Sequence, residues 1–505
     1  MDSKVSGDKH KKYLSFYADL SKNSIKDTEY WGIGIENETY LMLKTLADVS
    51  RSFYIMNQKP ERYSVNYWKN YKRSQLQNTL TNLPQRVKTP FYINGYLFQN
   101  ADINGNHKLL QGKPSYKNPR FSGVTIDEYL KNNSPVVKDL FEKNVIYDGD
   151  TFEFTTFDFY KTNVLSTINE LSYIKRKFLE EVNKHIDNKG IFTDEIIYPP
   201  FNYGFAQHLS NLSNIVPCNN GTYHINITLP TRLDSSGNIV DPVKFKQVHS
   251  NAIRGIQWIE PLLIALYGSP DILHLLNPEY SGGSLRLTMS RYIGIGTYDT
   301  ETMDKGKLLD TFNYNNTVGY FTILHSNSPY NPPKKIGYDF NYNKFTKHGI
   351  ELRILDSFPE EHLESVMNLL VLICDYSTRH NFSDPTVYPN WTNVTVDCVK
   401  NGSEANIGPA FYTTLYDVFG LTSCWTWFNL LFSSTINKRP LDIMKEISEN
   451  LYRYNRNGDV SKKLSPNMKP IKLVDYNKEI KEKFKEIVPP STEFRIAKQF
   501  GDKNS

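Results

Sequence analysis

Cysteine is scarce in this chain. Cys218, Cys374, Cys398 and Cys424 are the only four in 505 residues, and they are scattered, with no Cys-x-x-Cys and no Cys/His cluster. A disulfide framework and a zinc module are therefore excluded as organising features. Net charge is also low: +5 at neutral pH, with Lys and Arg interspersed among acids. That pattern lacks the basic stripe a nucleic-acid partner would need. Long apolar runs are missing as well. The most apolar stretch, Val366 to Cys374, is far too short to cross a bilayer, and Met1 to Lys12 is polar, with no apolar signal core. We therefore expect an intracellular, cytoplasmic protein with neither membrane nor nucleic acid as partner. No Walker-type Gly-x-x-x-x-Gly-Lys-Ser/Thr, protein-kinase catalytic-loop signature or internal repeat occurs. With 39% hydrophobic and 22% charged residues, the composition is that of a globular chain rather than a disordered one.

Against these absences stands Trp31-Gly-Ile-Gly-Ile-Glu-Asn-Glu-Thr-Tyr-Leu41. It reads as a strand, expected over about 31–43. Side chains two residues apart share a strand face, so Glu36 and Glu38 project together, opposite Ile33, Ile35, Asn37 and Thr39. Two adjacent carboxylates repel and raise each other's pKa unless a cation lies between them. A lone Glu-x-Glu more often lines a wet strand face, so the pair needs company to mean more.

The same alternation supplies it. Thr151-Phe-Glu-Phe-Thr155, within a strand expected over 150–159, sets Glu153 opposite two aromatics, with Asp148 and Asp150 just before it. The strand Thr222–Leu229, expected to end at Pro230, carries Thr222, His224, Asn226 and Thr228 on one face. Ser284–Ser290 reads as a strand carrying Ser284, Arg286, Thr288 and Ser290 on one face. Gly349–Leu355 carries Glu351 and Arg353 on one face. Carboxylates with an imidazole suit Mg²⁺ or Mn²⁺. Planar guanidiniums beside them suit phosphate. Together they are the equipment of phosphoryl transfer, in which positioning and charge neutralisation dominate.

Between these strands lie helical patterns. Val164, Ile168, Leu171, Ile174, Phe178 and Val182 recur at three- and four-residue steps. A second helix is expected over 242–267, kinked or divided at Pro261, and an apolar one over about 361–378. Residues 1–28 read as a lead and 29–435 as the catalytic unit. Within that unit, 45–147 is an insertion with hairpin-like punctuation at Ile93-Asn-Gly95 and Asn104-Gly-Asn106. Residues 436–505 read as a charged, helical tail. The fold class expected is α+β: a mainly antiparallel sheet with helices on one face and the site on the other.

In order and spacing, Glu36-x-Glu38, Phe152-Glu-Phe-Thr-Thr156 before a long helix, His224, Ser284-Leu-Arg286 and Glu351-Leu-Arg353-x-x-Asp356 resemble the glutamate–cysteine ligases. More broadly, they resemble the glutamine synthetase-like carboxylate–amine ligases and the related amidoligases. The resemblance covers about 29–380, discontinuously. It implies a curved sheet of the glutamine synthetase-like kind and an ATP- and Mg²⁺- or Mn²⁺-dependent ligase joining a small-molecule carboxylate to an amine. Under it, Glu36, Glu38, Glu153, His224 and Glu351 are metal ligands, with Asp148 or Asp150 as a companion to Glu153. His224, Asn226 and Arg353 would lie against the nucleotide, while Arg286 and Arg353 would serve the reacting groups. Two alternatives stay open: a guanidino-kinase-like phosphotransferase on the same fold, and a non-catalytic descendant that binds a ligand or protein.

Overall fold

The computed structural model describes residues 29–48, 87–101, 124–156, 163–187, 189–192, 194–209, 215–217, 221–232, 239–270, 283–289, 294–295, 297–299, 307–308, 340–342, 349–421 and 436–487. The expected lead over 1–28, the Asn104-Gly-Asn106 turn, the continuation of the second strand beyond Thr156 and Ser290 lie outside them.

The class is α+β. A seven-stranded sheet comprises β1 (Glu29–Thr39), β2 (Val145–Asp148), β3 (Thr151–Thr155), β4 (Gly221–Arg232), β5 (Thr297–Asp299), β6 (Phe340–Tyr342) and β7 (Ile350–Asp356), in the order β5-β6-β7-β4-β1-β3-β2. Every neighbouring pair is antiparallel except β5 and β6. The chain leaves this sheet after Thr39. Leu41–Leu43 pairs instead with Phe91–Ile93 and Ile196–Ile197 in a second, five-stranded sheet, so the strand expected to run unbroken over 31–43 serves two sheets.

One face of the large sheet is apolar, as the alternation requires. Ile33, Ile35, Phe152, Phe154, Tyr223, Ile225, Ile227 and Leu352 are all buried. Helix α1 (Val164–Asp187) lies against β1 and β3. Its Thr167 hydroxyl donates to Ile33 O at 3.1 Å, and its Phe178 meets Phe154 edge-on at 5.2 Å between centroids. Helix α2 (Pro242–Tyr267) contacts β4 and β7 and is buried almost all round in its last half, as a helix apolar on every side must be. It is not divided at Pro261. A short helix, α3 (Leu285–Met289), and a long one, α4 (Leu363–Ser377), follow. The charged C-terminal stretch is helical over Pro440–Asn455, Asp459–Leu464 and Tyr476–Ile487. These helices bury Ile443, Ile447, Val460, Leu464, Ile480 and Phe484 and pack against α2 and α4.

Two local expectations change. Pro230 does not end β4. The register jumps there, Tyr30 facing Thr231 while Gly32 faces Thr228, so Leu229 and Pro230 together oppose Trp31. A bulge interrupts the ladder where proline has no N–H to give, and the strand continues past it. Ile93-Asn-Gly95 is not a hairpin turn. Asn94 caps the helix Gly95–Asn100, its side chain accepting from Leu97 N at 2.9 Å.

Candidate functional site

Strand register assembles the polar face. Glu36 lies between His224 of β4 and Thr155 of β3, Glu38 lies between Thr222 and Glu153, and Asn226 stands opposite Glu351. The alternation inferred for each strand thus becomes one patch four strands wide. A second bulge shapes it. Tyr223 faces Leu355 and Ile225 faces Leu352, so Arg353 and Ile354 together oppose His224. The extra residue resets the alternation: Glu351, Arg353 and Asp356 all serve the polar side, whereas strict period two would have turned Asp356 away.

His224 is the hub. Its ring is buried, with Nδ1 3.1 Å from Glu36 Oε2 and 3.5 Å from Glu351 Oε1. Nε2 is 2.9 Å from a terminal nitrogen of Arg286 and 3.8 Å from Glu38 Oε1. A guanidinium can only donate, so Nε2 must accept, and the ring proton therefore sits on Nδ1, donated to Glu36. Burial, seconded by the Arg353 charge, lowers the His224 pKa and outweighs the pull of Glu38 and Glu36, which keeps the ring neutral.

Arg286 reaches this point from a helix. The expectation of a strand over Ser284–Ser290 is overturned: Leu285–Met289 is helical. The cause is Asp356, seventy residues away in sequence. Its buried carboxylate accepts from Ser284 Oγ at 2.6 Å, from the Arg286 backbone N–H at 2.8 Å and from the Ser269 N–H at 3.1 Å. Ser284 Oγ in turn accepts from Leu287 N at 3.3 Å, so the turn is capped at its start. The segments carrying Ser269 and Ser284 touch so closely that a Cβ on Gly268 would overlap Gly283 O. From this turn the Arg286 Nε also donates to Arg353 O. Arg353 donates to Glu351 Oε1 at 2.7 Å. The two guanidiniums are thereby held on the same rim as the carboxylates.

Two groups of potential metal ligands result. In the first, ligand atoms of Glu36, His224 and Glu351 all lie within 4.8 Å of one another, and all three residues are buried. In the second, the same holds for Glu38, Asp148 and Glu153, on the more open side of β1. Of the two companions considered for Glu153, Asp148 joins the group, whereas Asp150 accepts from the Tyr40 hydroxyl at 3.0 Å. Among the described residues, five carboxylates and two guanidiniums meet here, a donor set of the kind that hard divalent cations take. Burial pushes the Glu38 carboxyl up, but the neighbouring His224 ring and the Arg286 and Arg353 charges, with the Thr222 hydroxyl donating at 3.0 Å, more than compensate and hold it below the usual range. Asn226, buried beside Glu351, has an amide nitrogen with no hydrogen-bond partner among the described residues.

No family model matches the chain. It is, however, similar to "Uncharacterized protein R704" of Acanthamoeba polyphaga mimivirus, with 36% identity over 482 residues that span 93% of this chain and 82% of the viral protein. The chain belongs to the family of that mimivirus protein. No helix among the described residues is long and apolar enough to cross a membrane.

Asp356 and Ser269 are the site residues to which sequence reasoning gave no role. Asp356 stands in the Glu-Leu-Arg-x-x-Asp string, but strict alternation along its strand offers no reason to place it with Glu351 and Arg353. Ser284 was placed on the polar face beside Arg286, but as a strand residue rather than a helix cap, and Ser269 has no signal of its own, because both meet a carboxylate distant in sequence.

Proposed function

We propose that this chain is an ATP-dependent ligase, working with Mg²⁺ or Mn²⁺ on a glutamine synthetase-like catalytic fold. It would join a small-molecule carboxylate to an amine through an acyl phosphate, with glutamate as the candidate acid and cysteine or another amino compound as the candidate amine. The observation that carries the reading is the meeting of two clusters of potential metal ligands, five carboxylates and His224, with two anchored guanidiniums on one sheet face.

Divalent ions, when bound, would neutralise phosphate oxygens and let an anionic carboxylate approach them. The donor sets fit such ions: Glu36, His224 and Glu351 would hold one, and Glu38, Asp148 and Glu153 another. Arg353, anchored by Glu351, would meet the transferring phosphoryl group, and Arg286 that group or the substrate carboxylate. In the first step a carboxylate oxygen bonds to the γ-phosphorus while the bond to ADP breaks. In the second, the amine nitrogen attacks the acyl carbon, phosphate leaves with the bonding electrons, and the nitrogen gives up a proton.

The test is turnover with mixtures of amino acids and amines, following ADP and free phosphate together. Stoichiometric, Mg²⁺-dependent release of both supports a ligase. ADP without free phosphate would mean a kinase that keeps a phosphorylated product. No Mg²⁺-dependent nucleotide binding by calorimetry would mean a non-catalytic protein.

A further inference from the structure

Arg286 and a divalent ion cannot share His224. The ring has two nitrogens and, when neutral, one proton. Without an ion, the proton is on Nδ1 facing Glu36 at 3.1 Å, and the Nε2 lone pair accepts from Arg286 at 2.9 Å. An ion entering among Glu36, His224 and Glu351 can use either nitrogen. On Nε2 it would occupy the lone pair that Arg286 now holds. On Nδ1, where both carboxylates converge, it would move the proton to Nε2 and set an N–H against a guanidinium N–H. Either way the bond between Arg286 and His224 is lost, and the ring releases no net proton.

We propose that His224 is a tautomer-coupled latch: it holds Arg286 against the sheet until a divalent ion binds its group, and then frees the guanidinium to meet an anion. This rests on the ligase reading only as far as an ion enters that group. The geometry favours release over collapse. Arg286 stays tied through its backbone N–H to Asp356, so the residue keeps its place while the planar guanidinium turns away from the ring as one rigid unit. The oxyanion partner then becomes a phosphate or carboxylate of the substrates, to which a freed guanidinium fork bonds bidentately. Arg286 is thus engaged productively only after metal loading, which orders the two events.

The experiment uses full-chain protein labelled with ¹⁵N-histidine, with and without saturating Mg²⁺ and with saturation established by calorimetry. The His224 signals are identified by their loss in His224→Gln. The expected result is a protonated Nδ1 and an accepting Nε2 without metal, and a shifted Nε2 resonance at saturation. Should His224→Gln not fold, Arg286→Gln gives an independent reading. With the competitor gone, Mg²⁺ should bind roughly tenfold more tightly, and the metal-free Nε2 signal should move without any ion. Saturation with an unchanged pair of ring signals overturns the latch while leaving the ligase reading intact, as does an unaltered Mg²⁺ affinity in Arg286→Gln. Failure of Mg²⁺ to bind at all overturns both.

Discussion

Replacing Asp356 by Asn tests the element that places Arg286. The buried carboxyl accepts three hydrogen bonds, two on Oδ2 and one on Oδ1. An amide can keep the pair from Ser284 and Ser269 but then sets its NH₂ against the Arg286 N–H. One buried donor is orphaned, at a cost of about 1–3 kcal/mol. Burial also pushes the Asp356 pKa up from 3.8 to about 6 despite those donors. In that window the native state keeps a proton that the unfolded chain has released, so stability is fully present below the lower value and is lost as pH rises through the upper one. The loss comes to about 3 kcal/mol by neutral pH. Asn carries no such charge. The variant should therefore be destabilised by about 1–3 kcal/mol near pH 4 and be close to neutral, or slightly stabilised, near pH 7. Urea unfolding of both proteins across that range measures the difference, in which every other titrating group cancels. A penalty that stays constant, or grows with pH, would refute the account of Asp356 as a buried, reluctantly charged anchor. Asp356→Ala, which orphans all three donors, should cost more, about 3–5 kcal/mol.

The remaining predictions concern charge, a buried histidine and packing. Glu36→Gln and Glu351→Gln should leave circular dichroism unchanged and lower turnover by roughly a hundredfold or more, about 3 kcal/mol each; unaltered turnover would remove these residues from the site. Mg²⁺ at millimolar levels should raise the melting temperature of the parent and do so less in either variant. His249, buried between Leu229 N and Phe245 O, has its pKa lowered to about 4 by burial. Below its ordinary 6.5 the unfolded chain gains a proton that the native state refuses. Stability should therefore fall by about 3 kcal/mol as pH drops from there toward 4, and His249→Gln should flatten that slope in denaturant titrations. Phe178→Ala, which empties the space between Phe141, Phe152 and Phe154, should cost about 3–5 kcal/mol in chemical denaturation.

The polar face was legible because strand alternation is a local rule. Glu36 and Glu38, Glu153, His224 with Asn226, and Glu351 with Arg353 each follow from period two within one segment, and the apolar residues between them point to the helices. Ser284–Ser290 obeyed the same rule and misled, since Ser-Leu-Arg-Leu-Thr-Met-Ser alternates as a strand would. A turn this short has little preference of its own, and Asp356 decides it by taking the Ser284 hydroxyl and the Arg286 N–H.

What the sequence determined by itself was which residues could share a face, because that depends on neighbours two positions apart. What only the tertiary structure decided was which faces meet and in what register. It made Glu36 the neighbour of His224, placed Asp148 rather than Asp150 beside Glu153, and used a one-residue bulge at Arg353 and Ile354 to turn Asp356 inward. Those choices rest on hydrogen bonds between residues tens to hundreds of positions apart. Their free energy exists only once the sheet has formed, and so no local pattern records them.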